Sequence, residues 1–89
     1  MSQVISFPQF VIKRDGSTEP FTQEKIVTAV QKAMTAIKIR SKNLPQEIAD
    51  EVVVRLEQQD PPIDVDVVHQ MVENVIMDKG LHDLAREYI

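Results

Sequence analysis

"FVIKRDGSTEPF", residues 10–21, is the stretch that decides the predicted fold, because it indicates a β-hairpin at the start of a largely helical chain. Its first three residues are apolar and partly β-branched, which is typical of a strand. Asp15-Gly16 predicts a two-residue type I′ turn, in which both central residues need positive φ. The returning strand is expected to be short and at a sheet edge, since Pro20 has no N–H to donate.

From Thr22 onward the apolar residues recur with helical spacing, and the pattern predicts four helices. Thr22 is the expected N-cap of the first helix, and Pro45 suits the first turn of the second. Asp64 is the expected N-cap of the third helix, and Gly80 fits the C-terminal end of that helix. Residues 81–89 are predicted to form a short fourth helix.

The predicted architecture is α+β and mainly α: a four-helix bundle capped at one end by a small, two- to three-stranded β-sheet. Residues 63–65 are either a brief third strand or the segment that caps the third helix. Residues 1–9 are expected to form a flexible leader, and residues 10–89 a single domain. A two-stranded hairpin is marginal by itself, so we expect it to pack on the helices.

The composition of the 89-residue chain, 43% hydrophobic and 27% charged, is typical of a single globular domain. The chain contains no cysteine, which excludes disulfides, thiol nucleophiles and cysteine zinc sites. It has neither a signal-peptide pattern nor an apolar run near the roughly 20 residues of a membrane span. We therefore expect a cytoplasmic protein without a membrane partner.

Charge is distributed unevenly along the chain. Residues 1–42 carry seven Lys and Arg against three Asp and Glu, whereas residues 43–89 carry three against eleven. The net formal charge of −4 makes nucleic acid an unexpected partner. The basic first half can still hold a small anion such as a nucleotide. The alternative is that charge is spread unevenly over solvated faces without functional meaning.

Metal binding and catalysis find little support in the residue types present. His69 and His82 are too far apart for one helical face, and no carboxylate pattern completes a metal site. The chain has no glycine-rich phosphate loop, and no Ser-His-Asp arrangement is predicted in so small a frame. We expect neither a metal site nor catalysis in this segment.

Lys13 and Arg14, next to the predicted turn, form a candidate phosphate site. Arginine grips phosphate oxygens as a fork, and lysine adds a mobile charge. Adjacent strand residues point to opposite faces, so both cations can reach one phosphate chain only at the edge or end of the hairpin. The alternative is a solvated basic turn.

The residues that follow the turn could hold a nucleotide base. Glu19 could accept a hydrogen bond from the amino group of an adenine. Phe21 and Ile26 could form apolar walls, and Lys25 lies on the first helical turn. His69, near the start of the third helix, could add one polar contact. Structural roles also remain open: Phe21 and Ile26 have the spacing of a hydrophobic staple, and His69 could be a partly exposed helix residue.

The motif VIKRDGSTEPFTQEKI, the IADEV stripe of the second helix, residues 63–72 and the closing LAREYI together resemble the ATP-cone domain, over roughly residues 10–89. The resemblance implies a four-helix bundle under a small mixed sheet. ATP cones are regulatory modules, mostly at the N-terminus of ribonucleotide reductase large subunits, where ATP keeps the enzyme active and dATP inhibits it. The resemblance therefore implies ATP or dATP as an allosteric effector, with Mg²⁺, and the remainder of a reductase as partner.

The resemblance also implies a set of site residues. They are Lys13 and Arg14 for the phosphates, Glu19, Phe21 and Ile26 for the adenine, and Val11, Lys25 and His69 for supporting contacts. Family members often have a hydroxyl residue near position 65, where this chain has Val65. One polar contact of the family is therefore expected to be missing.

The phrases KRDG, PF and EKI, with the closing LAREYI, are most similar to the anaerobic, glycyl-radical ribonucleoside-triphosphate reductases. We predict such an enzyme as the parent protein, with catalysis outside this segment and homo-oligomers formed through the cone. Repressors of reductase genes also carry the domain, behind a zinc ribbon for which this segment has no cysteine. A further alternative is a degenerate cone that serves only as an oligomerisation module.

Overall fold

The computed structural model describes residues 10–60 and 63–88, and these residues form two strands and four helices. The elements are β1 (Phe10–Ile12), β2 (Thr18–Pro20), α1 (Gln23–Ala36), α2 (Leu44–Leu56), α3 (Val65–Asp78) and α4 (His82–Tyr88). The predicted α+β architecture of four helices with a small sheet is confirmed. The predicted leader, residues 1–9, lies outside the described residues.

The hairpin has a three-residue loop in place of the predicted two-residue turn. β1 and β2 pair antiparallel with Val11 opposite Glu19. The ladder continues with the Lys13 N–H donating to the Ser17 carbonyl over 2.7 Å, and the Gly16 N–H closes the loop by donating to the Lys13 carbonyl over 2.9 Å. Gly16 has a φ of 91°, which matches the left-handed residue that ends a three-residue hairpin loop.

The prediction of a type I′ turn is therefore wrong, because Asp15 does not adopt positive φ. Its side chain supplies the physical reason. The Asp15 carboxylate accepts the Ser17 hydroxyl at 2.6 Å and the Ser17 backbone N–H at 2.9 Å, which is a local turn bond that aspartate commonly makes. These two bonds, the hydroxyl first, lower the pKa of the Asp15 carboxyl below its ordinary value.

The hairpin is attached to the chain segment that leads into α3. The Ile12 N–H donates to the Ile63 carbonyl over 2.9 Å, and Ile12 forms one isolated parallel bridge with Asp64. The candidate third strand is thus reduced to a single bridge in the described residues. Asp64 is the N-cap of α3, as predicted. Its carboxylate accepts a hydrogen bond from the Val67 N–H at 2.9 Å.

The helices form a closed arrangement, in which α1 and α3 each pack against α2 and α4. Their buried faces agree with the predicted helical stripes: Ile26, Val30, Ala33, Met34, Ile48, Ala49, Val52, Leu56, Val68, Val72, Val75, Ile76, Leu84 and Ala85. Val11 and Ile63 join this core, which contains no buried polar side chain among the described residues. None of the described helices has the length and apolar character needed to cross a bilayer.

The N-terminus of α1 lies where it was predicted, but without a side-chain cap. Thr22 occupies the N-cap position with extended backbone, and its hydroxyl makes no capping bond. Its carbonyl instead accepts the Lys25 N–H at 3.3 Å. Pro45 lies in the first turn of α2, as predicted.

The C-terminal ends of α1 and α3 are two copies of one motif. After α1, Lys38 donates to the Thr35 carbonyl and Ile39 to the Met34 carbonyl; after α3, Gly80 and Leu81 make the equivalent bonds to Met77 and Ile76. This is the Schellman pattern, which needs a left-handed residue after the helix. Glycine fills that position after α3 with φ 78°, whereas lysine fills it after α1 with φ 62°.

The two motifs predict opposite effects of substitution. Lys38→Gly should raise the free energy of unfolding by up to about 1 kcal/mol, since relief of roughly 1–2 kcal/mol of left-handed strain exceeds the entropic cost of glycine. Gly80→Ala should lower it by about 1–2 kcal/mol through backbone strain alone, because a Cβ there meets no heavy atom within 4 Å. Urea unfolding measures the free energy of unfolding of both variants. A Lys38→Gly variant less stable than the parent would contradict the strain assigned to Lys38.

Candidate functional site

The described residues enclose an open pocket of about 200 Å³ between the hairpin, the start of α1, the start of α3 and the end of α4. Six of the eight predicted site residues line it: Val11, Glu19, Phe21, Lys25, Ile26 and His69. The other lining residues are Pro20, Thr22, Ala29, Val65, Val68 and Tyr88. The structure thus brings most of the predicted site into one place.

The inner wall of the pocket is apolar. Val11 and Ile26 are 4% and 5% exposed, and Val68 is also buried. Phe21 is half-buried and packs against the same core. Val65, where family members often have a hydroxyl residue, also lines the pocket. The inner part of the pocket therefore suits an apolar group rather than a charged one.

One carboxylate and one ammonium lie at the mouth of this pocket. Glu19 stands opposite Val11 in the hairpin register, which places both side chains on the same face of the sheet. Its Oε1 lies 3.3 Å from Lys25 Nζ, with the glutamate side chain 29% exposed and the lysine 65% exposed. An ionised carboxylate can only accept hydrogen bonds, so Glu19 is an acceptor at the edge of an apolar cavity.

Lys13 and Arg14 are not part of the pocket wall. Lys13 is two residues from Val11 on a ladder that continues to Ser17, so strand alternation places it on the pocket side of the hairpin. Arg14 lies in the loop, where strand alternation no longer applies. Its Nη2 and Nε lie 2.9 and 3.0 Å from Oδ1 of Asp66, in the first turn of α3.

His69 and Tyr88 join α3 to α4 at the far side of the pocket. His69 Nδ1 lies 2.9 Å from the Tyr88 hydroxyl oxygen, and the ring centroids are 6.0 Å apart. Burial raises the pKa of Tyr88 to about 12, and the negative charge of Glu73 adds to this effect. Sequence reasoning missed Tyr88; the only signal for it was an aromatic residue at the inward spacing of the last helix.

A sequence model described as the ATP cone domain matches residues 9–89. The chain belongs to the ATP-cone family. The resemblance inferred from the hairpin motif is therefore confirmed over nearly the whole chain.

Curated relatives of this ATP cone include three reductases. A vitamin B12-dependent ribonucleoside-diphosphate reductase of Thermoplasma acidophilum is 37% identical over 84 residues, covering 89% of the cone and 11% of that protein. An anaerobic ribonucleoside-triphosphate reductase of Haemophilus influenzae is 32% identical over 83 residues, covering 89% of the cone and 11% of that protein. The alpha subunit of a ribonucleoside-diphosphate reductase of Chlamydia muridarum is 32% identical over 90 aligned positions, covering 89% of the cone and 9% of that protein. The chain thus spans about a tenth of the length of these relatives.

The burial of Tyr88 in the cone can be measured directly, because it is the only tyrosine and the chain has no tryptophan. Tyrosinate absorbance should titrate with a midpoint of about 12 in the folded cone and about 10 in the unfolded chain. The folded-state pKa is the higher one, so the stabilisation linked to Tyr88 is complete below about pH 10 and is lost as the pH rises toward 12.

The Tyr88→Phe variant is the control for this titration. Its free energy of unfolding should lack the part of the alkaline decline that belongs to the phenol. A folded-state midpoint near 10 would show that the Tyr88 hydroxyl is solvated.

Proposed function

We propose that this ATP cone binds an adenine nucleotide, ATP or dATP, and acts as an allosteric regulatory domain of a ribonucleotide reductase. One observation carries the proposal: an apolar pocket with the Glu19 carboxylate at its mouth lies beside the basic hairpin loop. Family membership supports the same conclusion.

The pocket is sized for a base. Its volume of about 200 Å³ is below the roughly 300–1,000 Å³ of pockets that enclose a drug-sized ligand. An adenine ring would lie between Phe21 and Ile26, with its amino group donating to Glu19. The ribose and phosphates would then extend out of the pocket.

The cations around the mouth would bind those phosphates. Lys25 is at the rim, Lys13 lies on the pocket side of the hairpin, and Arg14 is in the loop. Arg14 is 79% exposed and its partner Asp66 is 62% exposed. An ion pair this exposed contributes only about 0–1 kcal/mol, so a phosphate can displace the carboxylate at little cost.

Magnesium would enter with the nucleotide. No group of three His, Asp or Glu side chains in residues 10–60 and 63–88 is arranged to hold a metal ion. The phosphate oxygens themselves are suitable ligands for Mg²⁺, which keeps several of its waters when it binds nucleotides.

Regulation would act on a larger protein, since the relatives are about ten times the length of the cone. ATP and dATP differ by one hydroxyl, so their opposite effects would need a bistable interface that amplifies a small contact. Homo-oligomers formed through the cone would supply that interface in the cytoplasm. The relatives belong to three kinds of reductase, and the anaerobic triphosphate enzyme remains our prediction for the parent.

The phosphate assignment predicts the effect of removing both hairpin cations. Lys13→Ala combined with Arg14→Ala should weaken ATP and dATP binding about 100- to 10,000-fold in calorimetric titrations, since each hydrogen bond to a charged phosphate is worth about 1.5–3 kcal/mol. Asp66→Asn is the matched control, because it removes the partner of Arg14 and keeps the cation; its affinity should equal or exceed that of the parent.

Two results would count against this proposal in different ways. A double variant that binds like the parent would exclude the hairpin cations as phosphate ligands. A parent that shows neither heat nor thermal stabilisation with millimolar ATP would exclude nucleotide binding, and ATP-indifferent self-association would then favour an oligomerisation module.

The base assignment predicts selectivity for adenine over guanine. Guanine has an acceptor oxygen where adenine has its amino group, and the Glu19 carboxylate has no proton to donate to it. The parent should prefer ATP to GTP by about 5- to 150-fold, the value of one specific base contact. Glu19→Gln can donate as well as accept and should bring the two affinities within a few-fold.

Glu24→Gln is the control for Glu19→Gln, because it removes an equal charge from the first turn of α1 outside the pocket. It should keep the ATP preference of the parent. An unchanged ATP-to-GTP ratio in Glu19→Gln would mean that Glu19 does not face the base.

A further inference from the structure

The direction of the hydrogen bond between Tyr88 and His69 decides which imidazole nitrogen carries the proton. A phenol O–H needs an acceptor when it is partly buried, and His69 Nδ1 is the one hydrogen-bond partner of the Tyr88 hydroxyl within the described residues. If Nδ1 carried the proton, the phenolic proton would face no acceptor there. This favours Tyr88 as the donor to Nδ1, which would leave the proton of the neutral ring on Nε2.

We propose that Tyr88 is a positioning residue of the nucleotide site: it holds His69 in the Nε2–H form, so that this ring donates to an oxygen of the sugar-phosphate part of the nucleotide. The inference rests on the proposed function and adds a residue from α4 to a site otherwise built from the hairpin, α1 and α3. Tyr88 is itself a wall of the pocket, so the positioning contact and the ligand share one cavity.

The surroundings of His69 favour a donor at this place. His69 is an exposed residue that borders the pocket, and no described residue hydrogen-bonds its Nε2. The charged groups that line the same cavities are Glu19 and Lys25 on the hairpin side, Lys32 on α1 and Glu87 on α4. Of the polar lining groups, only the histidine has its orientation set by a hydrogen bond from α4.

The Tyr88 hydroxyl is also suited to remain a donor. Its raised pKa keeps it protonated far above neutral pH. Tyr88→Phe removes the hydroxyl and keeps the ring, so packing against the core should survive. The loss in nucleotide affinity should be about 2- to 10-fold, which is the value of one ordinary hydrogen bond.

The test combines a spectroscopic and a binding measurement. Nitrogen NMR of the ligand-free protein at about pH 8, where imidazole is neutral, should show His69 as the Nε2–H tautomer in the parent and as a mixture of tautomers in Tyr88→Phe. His82 is the internal control, since its Nδ1 contacts Met77 Sδ at 3.3 Å and not a tyrosine. A purely structural role for Tyr88 would not change the His69 tautomer.

Binding is then measured in a second background. In His69→Gln the side-chain amide supplies a donor near the position of Nε2 without needing Tyr88. We expect Tyr88→Phe to weaken ATP binding in the parent and to have no further effect in His69→Gln. Equal losses in both backgrounds, or an unchanged tautomer with unchanged affinity, would overturn the inference. If the parent binds no nucleotide at all, the proposed function fails first, and the role of His69 toward a ligand fails with it.

Discussion

The burial of Val11 against the helices is the interaction on which the site depends. β1 and β2 have three residues each, and so short a hairpin is not stable alone. Burying one valine contributes about 1.5–3 kcal/mol, and the bond from Ile12 to Ile63 adds an anchor beside it. Once Val11 faces the core, the antiparallel register requires Glu19 to face the same way. The hairpin side of the pocket therefore follows from one buried residue.

Much of this arrangement could be predicted from sequence because its determinants are local. The helical stripes follow from a 3.6-residue period, and the buried side chains of each helix fall on them. Most of the predicted site comes from the continuous motif of residues 11–26, where a strand, a turn and a helix start within 16 positions of one another. His69 was predicted as one further polar contact from the third helix, and the pocket brings it together with the others.

The features that could not be predicted depend on contacts between distant residues or on a choice between similar turns. Asp-Gly is compatible with more than one hairpin loop, and the bonds from Ser17 to Asp15 select the longer one. Arg14 and Asp66 are 52 positions apart, and His69 and Tyr88 are 19 apart. No period or spacing in the sequence links such pairs. They become visible only when α3 has been placed between the hairpin and α4.

The Glu19–Lys25 ion pair connects base binding to phosphate binding in the proposed complex. In the structure, Glu19 is paired with Lys25, and Arg14 with Asp66. If Lys25 turns to a phosphate, the Glu19 carboxylate exchanges its contact with the ammonium for a hydrogen bond from the adenine amino group. Each exposed pair is worth about 0–1 kcal/mol, whereas a hydrogen bond to a charged phosphate is worth about 1.5–3. The exchange therefore favours a ligand that carries both an adenine base and a phosphate chain. Either group alone would gain only part of the binding free energy.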